Sequence, residues 1–139
     1  MIHHTAVSYK LNNDQFESIN KYHQEKWNFA STLGFYVGYN YVINNTGRLS
    51  IARQPGERTA AAYQKQMNSG ICIHIALEGN FEIEEPGEFQ IYKLRDQLRF
   101  LIKIFNIKKE NIVFHKFYSK TLCPGKNMDI DFVRNIAYE

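Results

Sequence analysis

Imidazole nitrogen and thiolate sulfur are among the side-chain ligands that Zn²⁺ favours. This 139-residue chain places one of each eight positions apart, at His115 and Cys123. His115 ends a β-prone segment and Cys123 lies in a loop before Pro124-Gly125, so the loop can return the sulfur to the strand end. Two ligands do not make a site. The His3-His4 pair offers the third, and neighbouring side chains of an extended segment point to opposite faces, so one of the two ligates and the other does not. Three protein ligands with one open position is the pattern of catalytic zinc, whereas structural zinc is usually closed by four. Such a metal lowers the pKa of a bound water toward ~7 and polarises a carbonyl oxygen as a Lewis acid. Surface histidines and a buried free thiol are the competing explanation of the same residues.

The elements that must position these groups mix strands and helices. Met1-Ile2-His3 reads as the stub of a first strand, which puts His3 at a strand end. Over residues 13–27 the spacing of Phe16, Ile19, His23 and Trp27 predicts a helix with one apolar face. Asn12 is its expected cap, with Gln15 in the capping-box position and Leu11 and Phe16 as the staple pair. Extended segments follow at Phe35–Ile43, Leu49–Arg53 and Gly70–Leu77, the second preceded by the turn signal Asn45-Thr46-Gly47. Gly70–Leu77 is nearly continuous in β-prone residues, as in a strand buried on both faces.

After Pro86-Gly87, the residues Ile91, Leu94, Leu98, Leu101, Ile102 and Phe105 form an amphipathic helical stripe. Asn111–His115 is read as a short strand. Residues 128–137 form a final helix with Asp129 and Asp131 near its positive end. The sum is a central mixed sheet with helices packed on it, and periodicity leaves α/β and α+β both open.

Composition narrows the function class. The length fits one domain spanning 1–139. Apolar residues at 44% and charged residues at 22% describe an ordinary globular chain. A net charge of +3 falls short of a nucleic-acid signature, and no Lys/Arg block is interleaved with aromatics. No apolar run approaches the ~20 residues of a membrane span. The opening MIHHTAVSYK lacks the basic and apolar regions of a signal peptide, so synthesis in the cytoplasm is expected. Cys72 and Cys123 do not amount to a disulfide framework.

A series of short motifs runs in order over almost the whole chain: Ile2-His3-His4-Thr5-Ala6; Tyr22-His23 with Trp27; Gly38-Tyr39-Asn40-Tyr41-Val42-Ile43; Gly47 and Arg53; Ser69-Gly70-Ile71-Cys72-Ile73; Gly79-Asn80-Phe81; Gln90; and His115 followed by Cys123-Pro124-Gly125. Each is weak alone, but their order and spacing are specific. On them the chain resembles the N-acetylmuramoyl-L-alanine amidase family, which includes phage endolysins and the animal peptidoglycan recognition proteins.

The resemblance implies the α/β fold of that family, Zn²⁺ as cofactor, and peptidoglycan or a muropeptide as the partner of a monomer released from the cytoplasm to the cell wall. The zinc ligands fall on His3, His115 and Cys123. The active-site tyrosine falls on Tyr39. The position two before the cysteine, Lys in some members and Thr in others, is Thr121, with Lys120 as a rival donor. Members without the cysteine bind peptidoglycan and do not cut it, so Cys123 favours hydrolysis of the amide between the lactyl group of N-acetylmuramic acid and L-alanine. The alternatives are a non-catalytic peptidoglycan-binding module with a structural zinc, and a zinc amidase of another acyl-peptide.

Asn40, Thr59 and Gln64 depart from the family's residues, and all three are expected along the substrate groove. His4, His23, His74 and Cys72 are read as structural. Asn80 and Arg53 are left between the groove and ordinary turn or surface contacts.

Overall fold

Alternation along short strands sorts this sequence into two unequal cores. A computed structural model describes residues 1–139. It contains one four-stranded sheet: β1 (Ile2–His4), β2 (Tyr41–Ile43), β3 (Leu49–Ile51) and β4 (Ile75–Leu77). The order is β1-β4-β2-β3. β4 runs parallel to β1 and β2, and β2 runs antiparallel to β3. Ile2, Tyr41, Ile43, Ile75 and Leu77 point into the larger core, which Leu94, Leu98, Leu101, Val133 and Ala137 complete from two helices. Those helices are α2 (Glu88–Phe105) and α3 (Ile130–Tyr138). Val42 points the other way, into a small core with Val37 and Ala52 that Phe16 and Ile19 cover from α1 (Phe16–Trp27). The fold is therefore α/β, a mixed sheet between helices.

Helix ends explain why the boundaries fall where they do. The expected cap on α1 is not formed: Leu11 is 85% exposed and staples nothing. The helix begins at Phe16, and Gln15 is buried beneath its first turn. Its backbone N–H donates to Glu78 Oε1 at 2.8 Å, while its side-chain amide donates to the carbonyls of Val7 and Asn12. A tertiary carboxylate thus does the work expected of a local cap. α2 matches its stripe, and Gln90 Oε1 accepts from the Gly87 N–H while its amide reaches the carbonyls of Ile43 and Glu78. Asp129 caps α3, its carboxylate accepting from the Phe132 N–H at 2.7 Å.

Three expected strands are shorter than their sequence pattern, Leu49–Arg53 pairing only over Leu49–Ile51, and a fourth is absent. Phe35–Ile43 pairs only over Tyr41–Ile43, because the N–H groups before it are taken by α1. Tyr36 and Val37 donate to Asn20 Oδ1, and Gly38 to His23 Nδ1. Gly70–Leu77 pairs only at Ile75–Leu77, matching the three paired residues of each neighbour. Asn111–His115 is not a strand: Ile2 and Phe114 share a single parallel bridge, and a 3₁₀ turn over His115–Phe117 follows. No helix is long and apolar enough to cross a membrane.

Candidate metal centre and groove

The sheet edge brings distant stretches of chain together. β1 presents His3 on the small-core side of the sheet, in register with Ala76 and Val42. The Ile2–Phe114 bridge sets His115 beside it, with the two imidazole centroids 4.7 Å apart. The loop carrying Cys123 is held by backbone hydrogen bonds from Lys116 to Cys123 and from Asn127 to Phe81. Gly125 lies there at φ +103°, where an added Cβ would sit 2.4 Å from the Phe81 backbone, so no other residue fits without moving the loop.

One ligand atom from each of His3, His115 and Cys123 lies within 4.8 Å of the others. The donor set fits Zn²⁺. Bond lengths of about 2.05 Å to nitrogen and 2.3 Å to sulfur, at tetrahedral angles, separate the two ligand atoms by about 3.6 Å. His3 Nδ1 and Cys123 Sγ stand 3.8 Å apart. His115 Nε2 is buried with no hydrogen-bond partner, as suits an atom that ligates a cation. The backbone N–H of His4 donates to Cys123 Sγ at 3.3 Å, a bond that favours thiolate. His4 itself turns away, accepting from the Phe81 N–H at Nδ1, as the two-residue repeat of a strand requires.

Burial favours the neutral form of all three groups, which suits the two imidazoles for a metal and opposes the thiolate. It holds His3 well below the ordinary imidazole pKa, with the neighbouring His74 and His115 adding to the effect. Burial lowers His115 as well. Both rings are therefore neutral at pH 7, the form that binds metal. Burial pushes the Cys123 thiol up to about 11, opposed by the His4 N–H and Lys116. Tyr39, its ring centroid 5.0 Å from that of His3, is raised above its usual pKa by burial and then by Cys123. It keeps its proton at every physiological pH.

A groove of about 980 Å³ opens over this cluster. Tyr39, His115, Lys120 and Thr121 all line it, so both rival donors next to the cysteine reach its wall. Thr121 Oγ1 accepts from the Cys123 N–H at 3.3 Å. Lys26, Arg58 and Lys65 add positive charge, Trp27 and Phe29 add apolar surface, and no Asp or Glu lines the groove.

Of the three departures, only Thr59 lines the groove. Asn40 is fully buried instead, accepting from the His74 N–H and donating to the carbonyls of Arg53 and Gln54. Gln64 ties its loop to the Tyr118 carbonyl at 2.8 Å. Arg53 is neither a groove nor a surface residue: it is completely buried, and its guanidinium donates to the carbonyls of Val37, Arg58, Phe29 and Tyr36. It thereby pins the two loops that form one groove wall. Asn80 makes turn contacts, accepting from the Glu82 N–H.

Sequence reasoning missed two groups. Ser119, whose hydroxyl is buried without a partner, lines the groove, and nothing in its spacing marks it. The second is His74, expected to be structural, whose Nδ1 lies 2.9 Å from His3 Nε2. The signal was available: alternation from Ala76, the partner of His3, returns to the same face at residue 74.

Known proteins share this fold. Peptidoglycan-recognition protein SD of Drosophila simulans is 28% identical over 91 residues, which are 65% of this chain and 47% of that protein, so the match spans less than half of the relative's length. Among solved structures, the N-acetylmuramoyl-L-alanine amidase LysC from Clostridium intestinale superposes with a TM-score of 0.76 at 24% identity, covering 96% of this chain and 80% of that one. Drosophila peptidoglycan recognition protein SD superposes with a TM-score of 0.68 at 24% identity, covering 91% and 73%. At these identities the superpositions establish the fold. The family model described as N-acetylmuramoyl-L-alanine amidase matches residues 1–126, from the strand that carries His3 to just past the loop that carries Cys123. With that match over nearly its whole length, the chain belongs to the N-acetylmuramoyl-L-alanine amidase family.

Proposed function

We propose that this protein is a zinc-dependent hydrolase of the amide between the lactyl group of N-acetylmuramic acid and L-alanine. The observation that carries the reading is the convergence of His3, His115 and Cys123 beside a groove of about 980 Å³. Zn²⁺, when held by these three side chains, supplies Lewis acidity and an activated water at neutral pH.

The chain's own residues supply the rest. Water adds to the carbonyl carbon, the C–N bond breaks, and both protons of the water end on the leaving nitrogen, giving a lactyl carboxylate and the ammonium of L-alanine. Negative charge builds on the carbonyl oxygen as the water adds, and donors placed there lower the barrier. Tyr39 suits that task because burial keeps its hydroxyl protonated, so it donates and does not act as a base. Thr121 and Lys120 offer further donors on the same wall. Trp27 and Phe29 give apolar surface to the substrate, and the four cations lining the groove suit the carboxylates of a stem peptide. The setting we propose is an endolysin or a wall-remodelling enzyme, made in the cytoplasm before release to the wall.

Incubation with purified sacculi or muropeptides, with and without chelator, followed by mass spectrometry, tests the reading. Chelator-sensitive release of intact stem peptides with a free L-alanine amine is the expected result. Binding without release would leave a non-catalytic binding module in its place.

A further inference from the structure

A buried chain of hydrogen bonds runs from the groove wall to one ligand of the metal centre. His74 is completely buried, one residue before β4. Its Nε2 lies 2.6 Å from the Met67 carbonyl oxygen, and its Nδ1 lies 2.9 Å from His3 Nε2. A carbonyl oxygen only accepts, so the hydrogen of the first bond sits on His74 Nε2. A neutral imidazole carries one N–H, which leaves His74 Nδ1 as an acceptor. The hydrogen of the second bond must then sit on His3 Nε2. His3 Nδ1 is left with a free lone pair, and that is the atom facing Cys123 Sγ at 3.8 Å.

We propose that His74 is a positioning residue that locks His3 in its Nε2–H tautomer and aims its Nδ1 at the metal, with the Met67 carbonyl as the anchor. The anchor is informative in itself. Met67 lies in a 3₁₀ turn over Lys65–Asn68, whose first and last residues line the groove. The wall that receives substrate and the ligand that holds the metal are thus joined through one imidazole. This inference rests on the metal reading above, and the tests separate the two.

The first test is zinc affinity by chelator competition, on wild type, His74→Leu and His74→Gln. Leucine removes both the donor and the acceptor. Glutamine restores one of each, about as far apart as the two ring nitrogens. Loss of an outer partner of a metal-bound histidine typically costs 10–100-fold in metal affinity. Roughly that loss is expected for His74→Leu, with most of it recovered in His74→Gln. Wild-type affinity in His74→Leu would overturn the proposal. So would equal losses in both variants, which would mean that packing and not hydrogen bonding matters.

The second test needs no variant. In the metal-free wild-type protein with ¹⁵N-labelled histidine, the ring correlations of His3 should report hydrogen on Nε2 and a bare Nδ1. Hydrogen on Nδ1 would end the proposal whether or not the variants fold. A wild-type protein that shows the Nε2–H tautomer and yet takes no zinc would sink the metal reading and leave the relay standing.

Discussion

At the scale of single residues, the proposed function divides labour between groups that would hold the metal and groups that would donate to the substrate. Cys123 holds. Its loop is fixed by backbone bonds and by the close approach of Gly125 to Phe81, so the sulfur is not needed to shape it. Cys123→Ala is therefore expected to abolish turnover and most zinc binding, with the far-UV circular dichroism and unfolding midpoint of the metal-free protein close to wild type. Full turnover in that variant would remove Cys123 from the ligand set. Tyr39 donates. Its ring packs between His3 and His23, with centroids 5.0 and 5.8 Å away, so Tyr39→Phe keeps the packing and loses only the hydroxyl. Removing one oxyanion donor costs on the order of 10²–10³ in kcat elsewhere. A fall toward that range with unchanged zinc affinity is expected, and an unchanged kcat would leave the tyrosine as a packing residue.

At the scale of elements, α1 does more than cover the small core. His23 on its buried face accepts the Gly38 N–H at 2.8 Å and packs edge-on against Trp27. Burial, then Lys26 and Arg53, lower its pKa to about 4 from the ordinary 6.5. Between those values the unfolded chain binds a proton that the folded chain refuses, so stability is full above pH 6.5 and falls as pH drops toward 4. His23→Gln, which keeps an acceptor and cannot protonate, should flatten the slope by up to one proton, at most about 1.4 kcal/mol per pH unit. Urea unfolding from pH 7 to 4.5 measures it, and an unchanged slope would show that His23 titrates normally.

The same helix shows what the sequence could and could not reveal. Its apolar face and the stripe of α2 were legible because burial follows a period that the residues display directly. Its cap was not, because Glu78 arrives from the end of β4, 63 positions away. That 35–40 would not pair as a strand was illegible for a related reason: β-prone residues give no hint that Asn20 and His23 take their N–H groups. Ligand candidates were legible as residue types, whereas the place of His74 depended on knowing that β1 pairs with β4.

At the scale of the whole molecule, charge is unevenly spread. The chain carries a net +3, yet Lys26, Arg58, Lys65 and Lys120 all converge on the groove, so the rest of the surface is close to neutral. A field concentrated in a cleft attracts anions there and weakens as the Debye length shrinks from about 10 Å at 0.1 M salt. An anionic muropeptide should therefore bind through contacts that salt screens, while the buried groups beside Tyr39 are screened much less. The expected outcome is a KM that rises several-fold between about 0.05 and 0.5 M salt, with kcat little changed. Each exposed pair is worth roughly 0.2–1 kcal/mol. Charge reversal at two groove positions, Arg58→Glu with Lys65→Glu, should then raise KM by about 10-fold or more and remove most of the salt dependence. Lys103→Glu, on the exposed side of α2 and outside the groove, changes the net charge by the same amount per substitution and serves as the control. If Lys103→Glu raised KM as much per charge as the groove changes, overall charge and not the groove would govern encounter. A KM indifferent to salt and to the groove substitutions would mean that apolar contact with Trp27 and Phe29, and not carboxylate recognition, holds the substrate.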